Sequence, residues 1–182
     1  MVRNKLSWLG AFLLLAVLLS VSACSRPSGN GTGGTEAGAT WTKRTSGTEK
    51  NLYGVTYGNG TFVAVGYDII LTSTDGVNWT QRDLGTENHL HGVTYGNGIF
   101  VAVGLDGTIL TSRDGASWTP RSGTKSDLLG VTYGNGIFVA VGRYGTILTS
   151  RDGVTWTPRT SGTTNPLRGV TYGNGTFVAV GG

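Results

Sequence analysis

From residue 40 onward the hydrophobic positions fall in short runs separated by glycine corners, with none of the three-to-four spacing of an amphipathic helix. One stretch shows the pattern. Leu90 to Tyr95 reads as a first strand, and Gly96-Asn97-Gly98 as a tight turn in which Asn and Gly accept positive φ at little cost. Ile99 to Val103 is a second strand with large apolar side chains on both faces, so both faces are expected to be buried. Leu105-Asp106-Gly107 turns the chain into a third strand, Thr108 to Ser112. Asp114-Gly115 turns it again into a fourth, Trp118 to Arg121. The unit is a four-stranded antiparallel meander.

The unit recurs. Gly-Val-Thr-Tyr-Gly-Asn-Gly occurs four times, starting at Gly54, Gly92, Gly130 and Gly169, and each copy leads into an apolar run such as Phe62-Val63-Ala64-Val65-Gly66. Trp41, Trp79, Trp118 and Trp156 mark the same period, 38 or 39 residues. A period near forty built only of strands points to the blades of a small all-β propeller. Three meanders are whole, at 52–83, 90–121 and 128–159. Leu167 to Gly181 supplies the first two strands of another, and Thr40 to Thr45 supplies a fourth strand with Thr32, Gly33 and Gly34 where an apolar third strand belongs. Three arrangements fit: a closed ring whose fourth blade is shared between the termini, an open arc that pairs with another copy, or a piece of a larger propeller. The shared fourth blade is the expectation, because strands from both termini would hide two sheet edges.

The corner between third and fourth strands is Ser73-Thr74-Asp75-Gly76-Val77-Asn78-Trp79, repeated at Ser112, Asp114, Gly115 and Trp118 and again at Ser150, Asp152, Gly153 and Trp156. It resembles the Asp-box, or BNR repeat, of sialidase-like propellers, over about 140 residues, except that Gly directly follows Asp here. The resemblance implies a structural role: the carboxylate accepts backbone N–H groups across the hairpin, Gly takes the open dihedral and Trp covers the turn.

The leader has a different pattern. Arg3 and Lys5 precede an apolar stretch from Leu9 to Val21, a length suited to a secretory signal rather than a membrane span. Val21-Ser22-Ala23-Cys24 resembles the lipobox of bacterial lipoproteins and holds the chain's one cysteine. That resemblance implies removal of residues 1–23, a diacylglycerol thioether on Cys24, and a lipid-anchored protein of the bacterial cell envelope, on the outer membrane or cell surface according to the organism. Residues 24–39 are rich in Gly, Ser and Thr and read as a tether with a reach of roughly 20 Å. The repeat domain then occupies 40–182.

Composition narrows the functions. The chain's net charge of +4 falls to +2 without Arg3 and Lys5, and no basic cluster exists, so no nucleic-acid partner is expected. One cysteine leaves no disulfide framework. His89 and His91 are a pair without an evident third ligand, so neither a metal centre nor a cofactor is expected. The glutamates are Glu36, Glu49 and Glu87, none beside a tyrosine placed as a sialidase nucleophile requires. Asp68 and Asp106 sit in turns where Asp is common anyway, so a glycan hydrolase ranks below a binding module and the chain is expected not to be an enzyme.

Comparison of the repeats with one another places the candidate binding residues. The invariant corners join strands one to two and three to four, on one rim of an up-and-down meander. The variable corners lie on the other rim and carry Tyr53, Tyr67, His91, Leu129, Arg143, Tyr144 and Arg168. Tyr53, His91, Leu129 and Arg168 hold equivalent places just before Gly-Val-Thr-Tyr. The expected function is a lipid-anchored binding or scaffolding module with a protein or glycan ligand on this rim. The alternative is a structural component that associates with itself through open blade edges.

Overall fold

The computed structural model describes residues 17–20, 38–83 and 89–182. Strands β1 (Val17–Ser20) and β2 (Thr42–Thr45) pair with each other. Three four-stranded antiparallel meanders follow. The first is β3 (Leu52–Gly58), β4 (Thr61–Gly66), β5 (Ile69–Ser73) and β6 (Thr80–Arg82). The second is β7 (Leu90–Gly96), β8 (Ile99–Gly104), β9 (Ile109–Ser112) and β10 (Thr119–Arg121). The third is β11 (Leu128–Gly134), β12 (Ile137–Gly142), β13 (Ile147–Ser150) and β14 (Thr157–Arg159). A two-stranded hairpin, β15 (Leu167–Gly173) with β16 (Thr176–Gly181), completes the described chain.

The meanders stack face to face through repeats of one interface. Val63, Val65 and Ile70 of the first blade enclose a core with Leu90, Val93, Phe100, Ala102 and Leu110 of the second. Val101, Val103 and Ile109 do the same against Leu128, Phe138, Ala140 and Leu148 of the third. Val139 and Val141 then meet Leu167, with Val170, Phe177 and Ala179 packed around them. In the three whole meanders the second strands β4, β8 and β12 are therefore buried on both faces, which is why their sequence is a continuous apolar run. Burying each such side chain contributes roughly 1.5–3 kcal/mol.

The first strands stand next to one another: β3 beside β7, β7 beside β11, and β11 beside β15. Close approach depends on glycine at one point. Gly58, Gly96 and Gly134 each lie under a tyrosine ring of the next blade, Tyr95, Tyr133 and Tyr172, where a β-carbon would overlap the ring.

The turns follow from the sequence chemistry. Asn59, Asn97, Asn135 and Asn174 have φ near +47°, and the glycine after each is also positive, the two-residue turn that matches strand twist. At the Asp corners, Ser112 Oγ donates to Asp114 Oδ1 at 2.9 Å and accepts the Gly115 N–H at 2.8 Å. Asp114 Oδ1 accepts the N–H groups of Ala116 and Ser117 at 2.8 and 2.9 Å, and Trp118 Nε1 donates to the Gly115 carbonyl at 2.9 Å. The corners at Asp75 and Asp152 repeat these bonds.

The fourth blade departs from expectation: among the described residues no N-terminal strand joins β15–β16, and Thr42–Thr45 pairs instead with Val17–Ser20. Val17–Ser20 holds the place of a third strand next to Thr42–Thr45. Its register reproduces that of a regular blade, Ser20 opposite Thr42 as Thr72 is opposite Thr80. Sequence propensity accounts for the difference: a glycine-rich stretch is a poor strand former, whereas Val-Leu-Leu-Ser contains neither glycine nor proline. Among the described residues β3 and β15 share no substantial contact, and Val55, Tyr57, Val178 and Val180 are more than half exposed.

Candidate functional site

The variable rim is organised by a bulge repeated in every first strand. Leu52 pairs with Gly66 and Gly54 with Val65, so Tyr53 is left out of the ladder. His91, Leu129 and Arg168 are left out in the same way. A bulge turns its side chain away from the regular alternation. Because β3, β7, β11 and β15 are neighbours, these four residues form a row along the inner strands. Tyr53 and His91 stack, ring centroids 5.4 Å apart and inclined by 29°.

A second row comes from the connections between second and third strands. Asp68, Asp106 and Tyr144 occupy the left-handed region at φ +47°, +52° and +57°. Asp tolerates this well, but tyrosine rarely adopts it, and Tyr144 is 75% exposed. Tyr67 stacks on His89 of the next blade with centroids 3.8 Å apart, and His89 Nδ1 faces Asp68 Oδ1 at 3.4 Å. Further round, Asp127 Oδ1 accepts the Asp106 N–H at 2.9 Å while its Oδ2 pairs with Arg143 Nε at 2.9 Å. Lys50 Nζ donates to the Asp68 carbonyl at 2.9 Å.

Electrostatics separates the two rims. Burial pushes the His91 imidazole below its usual range. The Asp127 carboxylate offsets this in part, and the cationic forms of His89 and Arg143 add to it. On the opposite rim the corner carboxylates are held low by backbone N–H groups. Asp152 is lowered to about 2 by the Thr155 and Val154 amides, and Asp75 and Asp114 move in the same direction for the same cause. A carboxylate held ionised by its own hairpin is a corner brace and a poor proton donor.

Of the residues singled out from the sequence, the structure brings Tyr53, His91, Leu129 and Arg168 into one row, and sets Tyr67, Arg143 and Tyr144 on the adjoining connections. Cys24 lies outside the described residues, as does Glu87. Asp127, one of the residues that vary between the repeats on this rim, links two blades through the Asp106 N–H and Arg143. An open cleft of about 760 Å³ adjoins Tyr144, lined by Thr124, Leu148, Arg159 and Ser161. Among the described residues no three His, Cys, Asp or Glu side chains are placed to share a metal ion.

Stacked four-stranded meanders with inner first strands define a small β-propeller, and the solved structures it resembles have that fold. YCF48 from Cyanidioschyzon merolae is 20% identical with a TM-score of 0.60, covering 74% of this chain and 51% of its own. Virginiamycin B lyase from Staphylococcus aureus is 18% identical with a TM-score of 0.66, covering 75% and 51%. YCF48 bound to D1 peptide is 22% identical with a TM-score of 0.56, covering 73% and 47%. The chain thus spans about half the length of these proteins. No protein-family model and no curated protein sequence matches it.

Proposed function

We propose that this chain is a binding and scaffolding module of the cell envelope, tethered through an acylated Cys24 and presenting its variable rim to a protein or glycan. The supporting observation is the row of bulged residues. Four equivalent positions, free of ladder pairing and set side by side, carry Tyr53, His91, Leu129 and Arg168, four different side chains on one repeated scaffold. Aromatic and arginine side chains are the commonest anchors of binding surfaces. The scaffold beneath them is repeated, so the row varies in chemistry on one recurring register. YCF48 bound to D1 peptide is a precedent for a protein ligand on this fold. Binding is favoured over catalysis because the repeated corner carboxylates are occupied as braces.

The test is binding of the full chain to arrayed glycans and peptides, compared with a Tyr53→Ala, His91→Ala, Arg168→Ala variant of unchanged circular dichroism. Ligands of the rim are expected to lose at least tenfold in affinity. Retention of every ligand by the variant would remove this reading.

A further inference from the structure

The rim of the Asp corners is less uniform than its repeated sequence suggests. Where the corner of the third blade meets the second blade, an open cleft of about 330 Å³ lies between them. Arg113, Asp114, Ser117 and Arg121 of the second blade line one side, and Asp152 and Val154 of the third line the other. The two walls are fixed against each other. Gly153 stands so near Ile99 that a β-carbon would meet its Cδ1 at 2.6 Å, and Asn97 Nδ2 donates to the Arg151 carbonyl at 3.5 Å.

The charged groups of the cleft are uncommitted. Among the described residues no ion pair joins Arg113 or Arg121 to Asp114 or Asp152. Each carboxylate uses Oδ1 to brace its own corner, and among the described residues neither Oδ2 accepts a bond. Arg121 donates Nε–H to Thr111 Oγ1 at 3.0 Å, which leaves its terminal nitrogens for a ligand. The junction between the first and second blades lacks this arrangement. There the equivalents of Ile99, Arg113, Ser117 and Val154 are Thr61, Thr74, Asn78 and Ala116. Asn78 Nδ2 also donates to Asp75 Oδ2 at 2.8 Å, closing the acceptor that Asp114 leaves open.

The geometry points to this cleft as a second binding site, for a neutral saccharide. Two guanidinium and two carboxylate groups cancel in charge, so neither an anion nor a cation is selected. Side by side they offer planar donors and planar acceptors, the complement of neighbouring sugar hydroxyls, each of which donates one bond and accepts others. Ser117 and Thr119 add exposed hydroxyls. Val154, 42% exposed, and the half-buried Ile99 supply a small apolar patch for the C–H face of a sugar ring. A volume at the lower end of the range for ligand pockets suits a short saccharide. The cleft shares no residue with the variable rim, so the inference stands apart from the ligand proposed there.

The test is calorimetric titration of the full chain in mild detergent with glucose, galactose, mannose, N-acetylglucosamine, lactose and cellobiose. At least one is expected to bind, and equal concentrations of sulfate or glycine should leave it in place. Arg113→Thr combined with Ser117→Asn installs side chains that the first blade already carries, so the fold is left intact. It should weaken binding about tenfold or more, the weight of one charge-assisted hydrogen bond, at an unchanged melting temperature. Val154→Ala, the residue type of the second blade, should weaken it by a smaller factor. The Tyr53→Ala, His91→Ala, Arg168→Ala variant should bind the saccharide as the unmodified chain does. Absence of binding by all six sugars, binding indifferent to Arg113→Thr with Ser117→Asn, its loss in the variable-rim variant, or displacement by sulfate or glycine would overturn the inference.

Discussion

The ring of Tyr95 lies over Gly58, filling the space where any other residue would carry its β-carbon. The same contact recurs at Tyr133 on Gly96 and at Tyr172 on Gly134. Gly58→Ala and Gly96→Ala should therefore destabilise the fold by about 1–3 kcal/mol through overpacking. Thermal melts followed by near-ultraviolet circular dichroism, with Gly173→Ala as the silent control, would show it. A neutral Gly96→Ala would mean the blades are not stacked as described.

Ser112 supports its corner through two bonds, one to Asp114 and one from Gly115. The hydroxyl is buried, so Ser112→Ala is expected to cost about 1–2 kcal/mol, read from urea unfolding. The neighbouring carboxylates give the corner a pH dependence. Asp152 is lowered to about 2, against about 3.9 for a free Asp. Its contribution is present above pH about 4 and is lost as pH falls toward its folded value. Asp152→Asn should flatten that part of the acid limb of a melting-temperature profile, and an unchanged limb would contradict the brace.

His91 acts at milder pH. Burial holds its folded pKa below the usual value, so the unfolded chain takes up the proton first. Stability is then full above pH about 6.5 and declines as the pH falls below it. His91→Gln should make the melting temperature less sensitive between neutral pH and pH about 5. An equal slope in both proteins would exclude His91 as the source.

Tyr144 sits at φ +57° where its counterparts are Asp106 and Asp68. A left-handed conformation costs an ordinary residue roughly 1–2 kcal/mol, less for Asp or Asn. Tyr144→Asn is therefore expected to stabilise the fold by about 0.5–1 kcal/mol, measured by chemical unfolding. Destabilisation would show that the ring makes contacts that outweigh the backbone strain.

The leader strand gives a further expectation. Val17–Ser20 supplies the sheet partner of Thr42–Thr45. If export removes residues 1–23, the amides of Thr42–Thr45 lose that partner. Hydrogen exchange at this strand should be faster in the processed protein than in the full chain, while exchange in β8 and β12 stays the same. Equal protection would mean that another segment takes the leader's place.

The meanders were legible because their signals are local. Gly-Asn-Gly dictates a two-residue turn, and the observed bounds of the second blade, Leu90 to Arg121, match those read from its alternation. The row of Tyr53, His91, Leu129 and Arg168 was visible as positions that vary between otherwise identical repeats. The bulge that frees them was not, since a one-residue slip at Leu90 and Gly92 leaves no mark in the apolar pattern. The surroundings of the last hairpin were equally hidden. Val178 there has the same sequence neighbours as Val63 in the first blade, although one is exposed and the other buried.

The Asp68–His89 and Asp106–Asp127 links have a consequence for assembly of the fold itself. The apolar faces are nearly interchangeable from blade to blade, so hydrophobic contacts alone would accept a blade in its neighbour's slot. These polar pairs on the variable rim are where one junction differs from the next. They are address labels: a chain that stacked its units in the wrong order would keep its oil and forfeit its addresses.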